Sequence, residues 1–304
     1  MIPAGSGLLT GLGVTQVRLV DGEREMMLLP RDGVVLQRLD LGYPATRELA
    51  EPRTADDGEH DTTSLHGGRS VAVDMLLIDV DADPVLDELR SFCRPADRPY
   101  LYVSAGGWES ERRIRLRKDQ QSAPVTAEFP PPVRQVQAQW KAPDGVLEAA
   151  EQTTTVISAE VHSSTGLEMT VASGLSVTVA SGVAMTVGTS GSAVIVDNTG
   201  SMDAHWVARL YGPCTGPRFS LDSVGVSLAF PGLTIPAGEY VELDSRARTA
   251  HANGDATISR LNALDFASST WWRLPAGANQ VRYHPDSGAS AATEAHLLWR
   301  ECWL

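Results

Sequence analysis

The chain has 304 residues, 42% of them hydrophobic and 21% charged, enough apolar material for two domains with cores of their own. Its 25 basic and 38 acidic residues leave a formal charge of −13, which argues against a nucleic-acid binder because phosphate affinity needs clustered Lys and Arg. No apolar run is long enough to cross a membrane as a helix, and MIPAGSGLLTGLG lacks the basic start and long apolar stretch of a secretory signal, so folding in the cytoplasm is expected.

In chain order, TQVRLV, EMMLLP, GVVLQRLDL, RSVAVDMLLIDV, RPYLYVSA and RRIRLRK are short runs rich in Val, Leu and Ile, closed by Gly, Asp or Pro. That is the pattern of strands in a half-buried sheet. DADPVLDELRSFCRP breaks it. Asp83 is placed to cap, Pro84 falls at the first helical position, Val85, Leu86, Leu89 and Phe92 follow at helical spacing, and Pro95 ends the run, so one helix is predicted over about 83–94. The polar segment 47–69, strongly acidic at its centre, is a long loop of the kind that reaches toward a partner or stays mobile. Segment 128–155, with Pro130 to Pro132, loses the strand rhythm and ends a first domain set at 1–145.

A connector over 146–190 carries GLEMTVAS GLSVTVAS GVAMTVG, three eight-residue units that each read as a five-residue strand and a turn. The period decays at GTSGSAVIVDNTG, so a solenoid, which needs many stacked rungs, is not expected. From 191 to 304, SAVIVDN, WVARLYG, VGVSLAF, LTIPAGEYVELDS, RTAHANGD, NQVRYHP and EAHLLWRECWL, with frequent turn signals, predict an antiparallel sandwich. Asn253-Gly254 is the strongest hairpin signal among them. Trp299 and Trp303 place the C-terminus in a sheet.

The residue types of catalysis occur without its spacings. Cys93, Cys214 and Cys302 are odd in number and far apart, so buried free thiols are expected rather than disulfides or ligands. His60 and His66 among Asp56, Asp57, Glu59 and Asp61 match no tetrahedral metal spacing and read as a solvated loop. Glu239 and Asp244 fall on opposite faces of one strand, poor geometry for an acid–base pair. No nucleophile elbow or phosphate-binding glycine motif is present, so neither an enzyme nor a cofactor is expected. Trp271 and Trp272 read as one ring inside and one at the edge of a core, with an exposed sugar platform as the alternative.

The C-terminal run from LTIPAGEYVELDSRARTAHANGD to the end resembles the closing half of siphophage distal tail and minor tail proteins. The resemblance rests on an ordered set: Pro236 and Gly238 before YVELDS, then Arg246 and Arg248, the Asn253-Gly254 tip, SSTWWRLPAG, NQVRY at 279–283, and a final strand ending in an aromatic and a leucine. Upstream, DNTGSMDAHWVARLYGP, LGYPATRE, HGGRSVAVDMLLI and DPVLDELRSFCRPADRPYLYV follow the family's order, and the octads depart from it. The resemblance implies a mostly β chain: an N-terminal tail-tube-like β-sandwich or split barrel with one helix, and a C-terminal galectin-like antiparallel sandwich. It implies a structural virion protein at the tail tip, assembled in the host cytoplasm as a homohexameric ring. Its implied partners are the tail tube protein, the tail-tip hub and a receptor-binding protein, with DNA passing through unbound. Asp56, Asp57, Glu59 and Asp61 are then candidates for a loop facing the channel or the adjoining subunit, where negative charge would repel the phosphate backbone. A carbohydrate-binding adhesin for host-wall sugars is the alternative function.

Overall fold

The computed structural model describes residues 13–47, 65–78, 82–122, 133–159 and 193–304. The octads, and the acidic residues Asp56, Asp57, Glu59 and Asp61, lie outside the described residues. The chain divides into two compact units, Met1–Glu151 with Glu301–Leu304, and Gln152–Arg300.

The first unit contains β1 (Val14–Asp21), β2 (Arg24–Leu29), β3 (Val34–Asp40), β4 (Thr46–Arg47), β5 (Leu65–His66), β6 (Arg69–Ile78), α1 (Ala82–Ser91), β7 (Tyr100–Ala105), β8 (Arg112–Arg115), β9 (Arg117–Ser122), β10 (Val133–Ala142) and β11 (Leu147–Ala149). One sheet runs β2-β1-β7-β8-β11 and gains a sixth strand from the C-terminus; a second runs β3-β6-β10-β9; β4 and β5 pair alone. All pairings are antiparallel.

The period-2 pattern explains why these residues form sheets. Along β6, Val71, Val73, Met75 and Leu77 are buried while their neighbours are not. β10 matches it in unbroken register from Val133↔Ile78 to Ala142↔Arg69, adding Val136, Ala138, Trp140 and Ala142 to the core. That segment lies where the sequence loses its strand rhythm, because its buried residues include small alanines and most of its outward ones are glutamines.

The helix α1 covers the core with Val85, Leu86 and Leu89, and Phe92 just past its end is buried with them. Asp83 and Pro84 lie inside its first turn rather than at the cap and first position. Proline is tolerated there because first-turn N–H groups have no intrahelical partner. Arg69, only 3% exposed, donates from Nε to the Gly145 carbonyl at 2.7 Å and ties the start of β6 to the turn before β11.

The second unit contains β12 (Thr153–Ser158), β13 (Val194–Asn198), β14 (Trp206–Tyr211), β15 (Cys214–Leu221), β16 (Val226–Ala229), β17 (Thr234–Ile235), β18 (Tyr240–Asp244), β19 (Thr249–Ala252), a 3-10 turn (Leu261–Ala263), β20 (Gly277–Ser287) and β21 (Glu294–Trp299). They form two antiparallel sheets, β12-β21-β14-β18-β19 and β13-β20-β15-β16, with β17 on β15. The sheets bury Trp206, Leu210, Phe219, Leu243, Val281, Tyr283 and Leu297, all nearly inaccessible. The Tyr283 hydroxyl, pushed far above its usual pKa by burial, lies 3.2 Å from the Cys214 sulfur and donates to the Tyr211 carbonyl at 3.3 Å. All three cysteines are free and buried.

Asn253 and Gly254 both take positive φ, 51° and 72°, and the Asp255 N–H closes the turn on the Ala252 carbonyl at 2.9 Å. This is the positive-φ turn that Asn-Gly favours, but it does not close a two-residue hairpin: a second turn follows, from the Ile258 N–H to the Asp255 carbonyl, and the chain rejoins β19 only at the isolated bridge His251–Ser259. The chain ends with β22 (Cys302–Trp303), which leaves the second unit and pairs with β11 as the sixth strand of the first unit's large sheet.

Candidate assembly face

Side chains alternate across the six-stranded sheet, so its core-facing residues dictate which ones face outward. With Leu19, Leu101 and Ile114 buried, Arg18, Tyr100, Tyr102 and Arg113 project from the opposite face. Register sets Arg18 opposite Tyr102, Tyr102 opposite Arg113, and Arg113 opposite Glu148 on four successive strands.

Their contacts form one network. Arg18 donates to both carboxylate oxygens of Glu111, at 3.2 and 2.8 Å, and to Glu25 at 3.2 Å, while its guanidinium carbon sits 4.3 Å over the Tyr102 ring. The hydrogen bonds it donates to Glu111 raise the Arg18 pKa above its already high usual value. Arg113 donates to Glu148 at 3.2 and 3.0 Å and lies 4.4 Å over the Tyr100 ring. Burial works against the Arg113 charge, but hydrogen bonding to Tyr102 and the Glu148 carboxylate outweigh it and raise its pKa. The Arg113 and Glu148 side chains are 17% and 11% exposed, so the pair is largely desolvated.

The next residue along points the other way. Arg112 is held between the Trp108 ring at 4.4 Å and the Trp303 ring at 3.9 Å, fastening β22 at the rim of the core. Burial lowers the Arg112 pKa, with Glu301 opposing the shift.

This face has little net charge to attract phosphate, since Arg18 and Arg113 are matched by Glu25, Glu111 and Glu148. No group of three or more His, Cys, Asp or Glu among the described residues could hold a metal ion. What the face offers is planar, pre-ordered Arg and Tyr surface, the composition enriched at the centres of protein–protein contacts. The sequence did not single it out. The available signal was Tyr and Arg at the outward positions of YLYV and RRIR.

The tryptophan pair lies in the second unit. Trp272 is 7% exposed, its ring centroid 4.4 Å from Trp206 and 5.6 Å from Phe219. Trp271 is half-buried and stacks on Trp206 at 6.5 Å. The segment is pinned at its end. Ala204 and Leu274 exchange both backbone hydrogen bonds at 2.8 Å, Asn198 donates to the Leu274 carbonyl at 3.1 Å, and Asn279 donates to the Pro275 carbonyl at 2.7 Å. Glu239 precedes β18 and Asp244 ends it, where the Asp244 carboxylate accepts from the Arg246 and Ala247 N–H groups at 2.7 and 2.9 Å.

Residues 199–303 match the family model described as siphovirus-type tail component, C-terminal domain. Over 95% of its length the chain is similar to the crystal structure of the SPP1 Dit protein, described as a paradigm of hub adsorption apparatus in phages infecting Gram-positive bacteria. That similarity has a TM-score of 0.61 at 13% identity and covers 99% of the SPP1 chain. A weaker similarity, TM-score 0.46 at 9% identity, covers 94% of this chain and 97% of a chain in the phage P2 baseplate in its activated conformation with Ca. None of the curated proteins compared matches the sequence.

Proposed function

We propose, from the match of residues 199–303 to a siphovirus-type tail component C-terminal domain on a chain whose fold is similar to SPP1 Dit, that this protein is a structural subunit of a phage tail tip. It joins the tail tube to the adsorption apparatus of a long non-contractile tail, and its work is assembly geometry rather than catalysis. The observation that carries this reading is the family match at 199–303, inside a chain whose fold parallels SPP1 Dit over 95% of its length.

In this reading the first unit closes into a homohexameric ring around the channel. A repeated head-to-tail contact closes when its rotation closes, and ring closure pairs sheet edges that would otherwise invite aggregation. The Arg18–Tyr102–Arg113–Glu148 face supplies a contact whose charges are already matched and whose side chains are already ordered, so little entropy is lost on association. The tail tube protein, the hub and a receptor-binding protein are the proposed neighbours. The acids Asp56, Asp57, Glu59 and Asp61 are proposed for the channel or the adjoining subunit, where they would keep DNA from adhering.

Immunogold labelling of purified virions with an antibody against the second unit tests the assignment. Label at the distal end of the tail is expected; label on the capsid, or none on the particle, contradicts it.

A further inference from the structure

The first unit's uncommitted positive charge is gathered at one corner. The chain passes from the six-stranded sheet to the four-stranded one between β8 and β9, across the buried Leu116. Arg115 and Arg117 flank that crossing, and Lys118 follows. Register sets Arg115 opposite Tyr100 on β7 and Arg117 opposite Lys141 on β10. The Leu116 N–H donates to the Pro99 carbonyl at 2.7 Å, which holds the turn from Arg94 to Arg98 against the crossing.

Arg94, Arg98, Arg115, Arg117, Lys118 and Lys141 are all exposed, and none has an ion-pair partner among the described residues. Every other arginine of the first unit with a described side chain is ion-paired, buried or held between rings. Lys118 and Lys141 are the only lysines in a chain of charge −13.

The arrangement works against stability, because like charges directly opposite on neighbouring strands repel, and Arg117 with Lys141 is such a pair. Protection of a sheet edge explains part of it: β9 ends its sheet, and charged side chains deter edge pairing. It does not explain Lys141, on a strand paired on both sides, or Arg94 and Arg98, on a turn.

We propose that this corner is the docking surface for a carboxylate-rich patch on a partner protein. Such a patch meets the unpaired guanidinium and ammonium groups at short range, where a screening length of about 8 Å at physiological salt lets local charge outweigh the chain's negative total. Nucleic acid fits less well. A long polyanion meets the whole chain of charge −13 as well as this corner. The nearest rings give it no stacking platform, since Tyr100 and Tyr102 lie under the Arg113 and Arg18 guanidiniums at 4.4 and 4.3 Å. A second copy also fits less well, because its Glu25, Asp40, Asp87, Glu88, Glu111 and Glu148 are already held by arginines.

This inference does not depend on the tail-tip assignment, and its test is separate from virion labelling. A fluorescein-labelled oligoglutamate peptide is titrated with the full-length chain, and its anisotropy is recorded at rising salt, with a short DNA duplex of comparable charge alongside. Peptide binding that weakens as salt is added is expected. Arg117→Gln with Lys141→Gln should weaken it by about tenfold or more, and because the change removes a repelling pair the unfolding midpoint should not fall. Arg94→Gln with Arg115→Gln carries the test should the first pair fail to fold. Arg260→Gln with Arg273→Gln removes two exposed cations of the second unit and should leave binding within about twofold. No binding of the peptide by the wild-type chain overturns the proposal. So does an equal loss in the second-unit pair, which would make binding an effect of net charge. Tighter binding of the duplex would make the corner a phosphate site, and a lower oligomeric mass in the corner variants would make it a contact between copies; either result also overturns it.

Discussion

At the scale of single residues, the structure is sensitive where charge is desolvated. Breaking the Arg113–Glu148 pair strands the partner in a site where the side chains are 17% and 11% exposed, so Glu148→Gln should lower unfolding free energy by roughly 2–4 kcal/mol. The double replacement Arg113→Met with Glu148→Leu should recover most of that loss, because two apolar chains leave no uncompensated charge; denaturant midpoints of the two variants check both statements. Asp222 gives a pH signature. Burial pushes its carboxyl up, but the Ser220 hydroxyl at 2.6 Å and Arg282 at 2.8 Å together hold it below the usual carboxylate range. A depressed folded-state pKa means the stabilisation is present above the unfolded value and is lost as pH falls through the folded one. Asp222→Asn should therefore cost about 1 kcal/mol at neutral pH and almost nothing once the solution is acidic enough to protonate the native carboxyl, as thermal melts across pH will show. Burial also raises the thiol pKa of Cys93 and Cys214, so both should resist a thiol reagent at mildly alkaline pH in the native protein and react fully on unfolding.

At the scale of elements, register and turn chemistry carry the fold. Trp140 is wholly buried on β10, and Trp140→Ala should destabilise the first unit by about 3–5 kcal/mol, measured as a shift in the unfolding midpoint. Gly216 has a φ of 66°, which strains any side-chain-bearing residue, so Gly216→Ala should lower the unfolding midpoint of the second unit. The elements legible in the sequence were those whose buried positions are large aliphatics, such as β6 and β7, and the single amphipathic helix. β10 was hidden because Ala and Gln at alternating positions weaken the contrast on which periodicity depends. β15 was hidden because Gly216 and Pro217 in CTGPRFSL read as breakers, although the strand pairs with both β16 and β20. The assembly face was not legible at all. It exists only when Arg18, Tyr102, Arg113 and Glu148, far apart in sequence, are brought opposite one another on four strands. Trp271 and Trp272 stand out instead, because their adjacency in sequence is visible without a fold.

At the scale of the whole molecule, the chain crosses from the first unit to the second after Glu151 and returns at Glu301, so β22 stitches the C-terminus into the sheet that carries the proposed assembly face. The Arg112 guanidinium between Trp108 and Trp303 makes that return part of the first unit's core rim. Arg112→Ala removes both stacking contacts and should loosen β22, raising amide exchange at Cys302 and Trp303 while leaving β6 and β10 protected. The central proposal is that the first unit closes this chain into a ring. The most direct measurement of that claim is the solution mass of the purified chain by light scattering across a wide concentration range, with the Tyr100→Ser, Tyr102→Ser double variant alongside. The expected result is a hexamer for the wild-type chain and single, folded chains for the variant. A wild-type chain that stays solitary at every concentration, or a variant that assembles as well as the wild type, contradicts it.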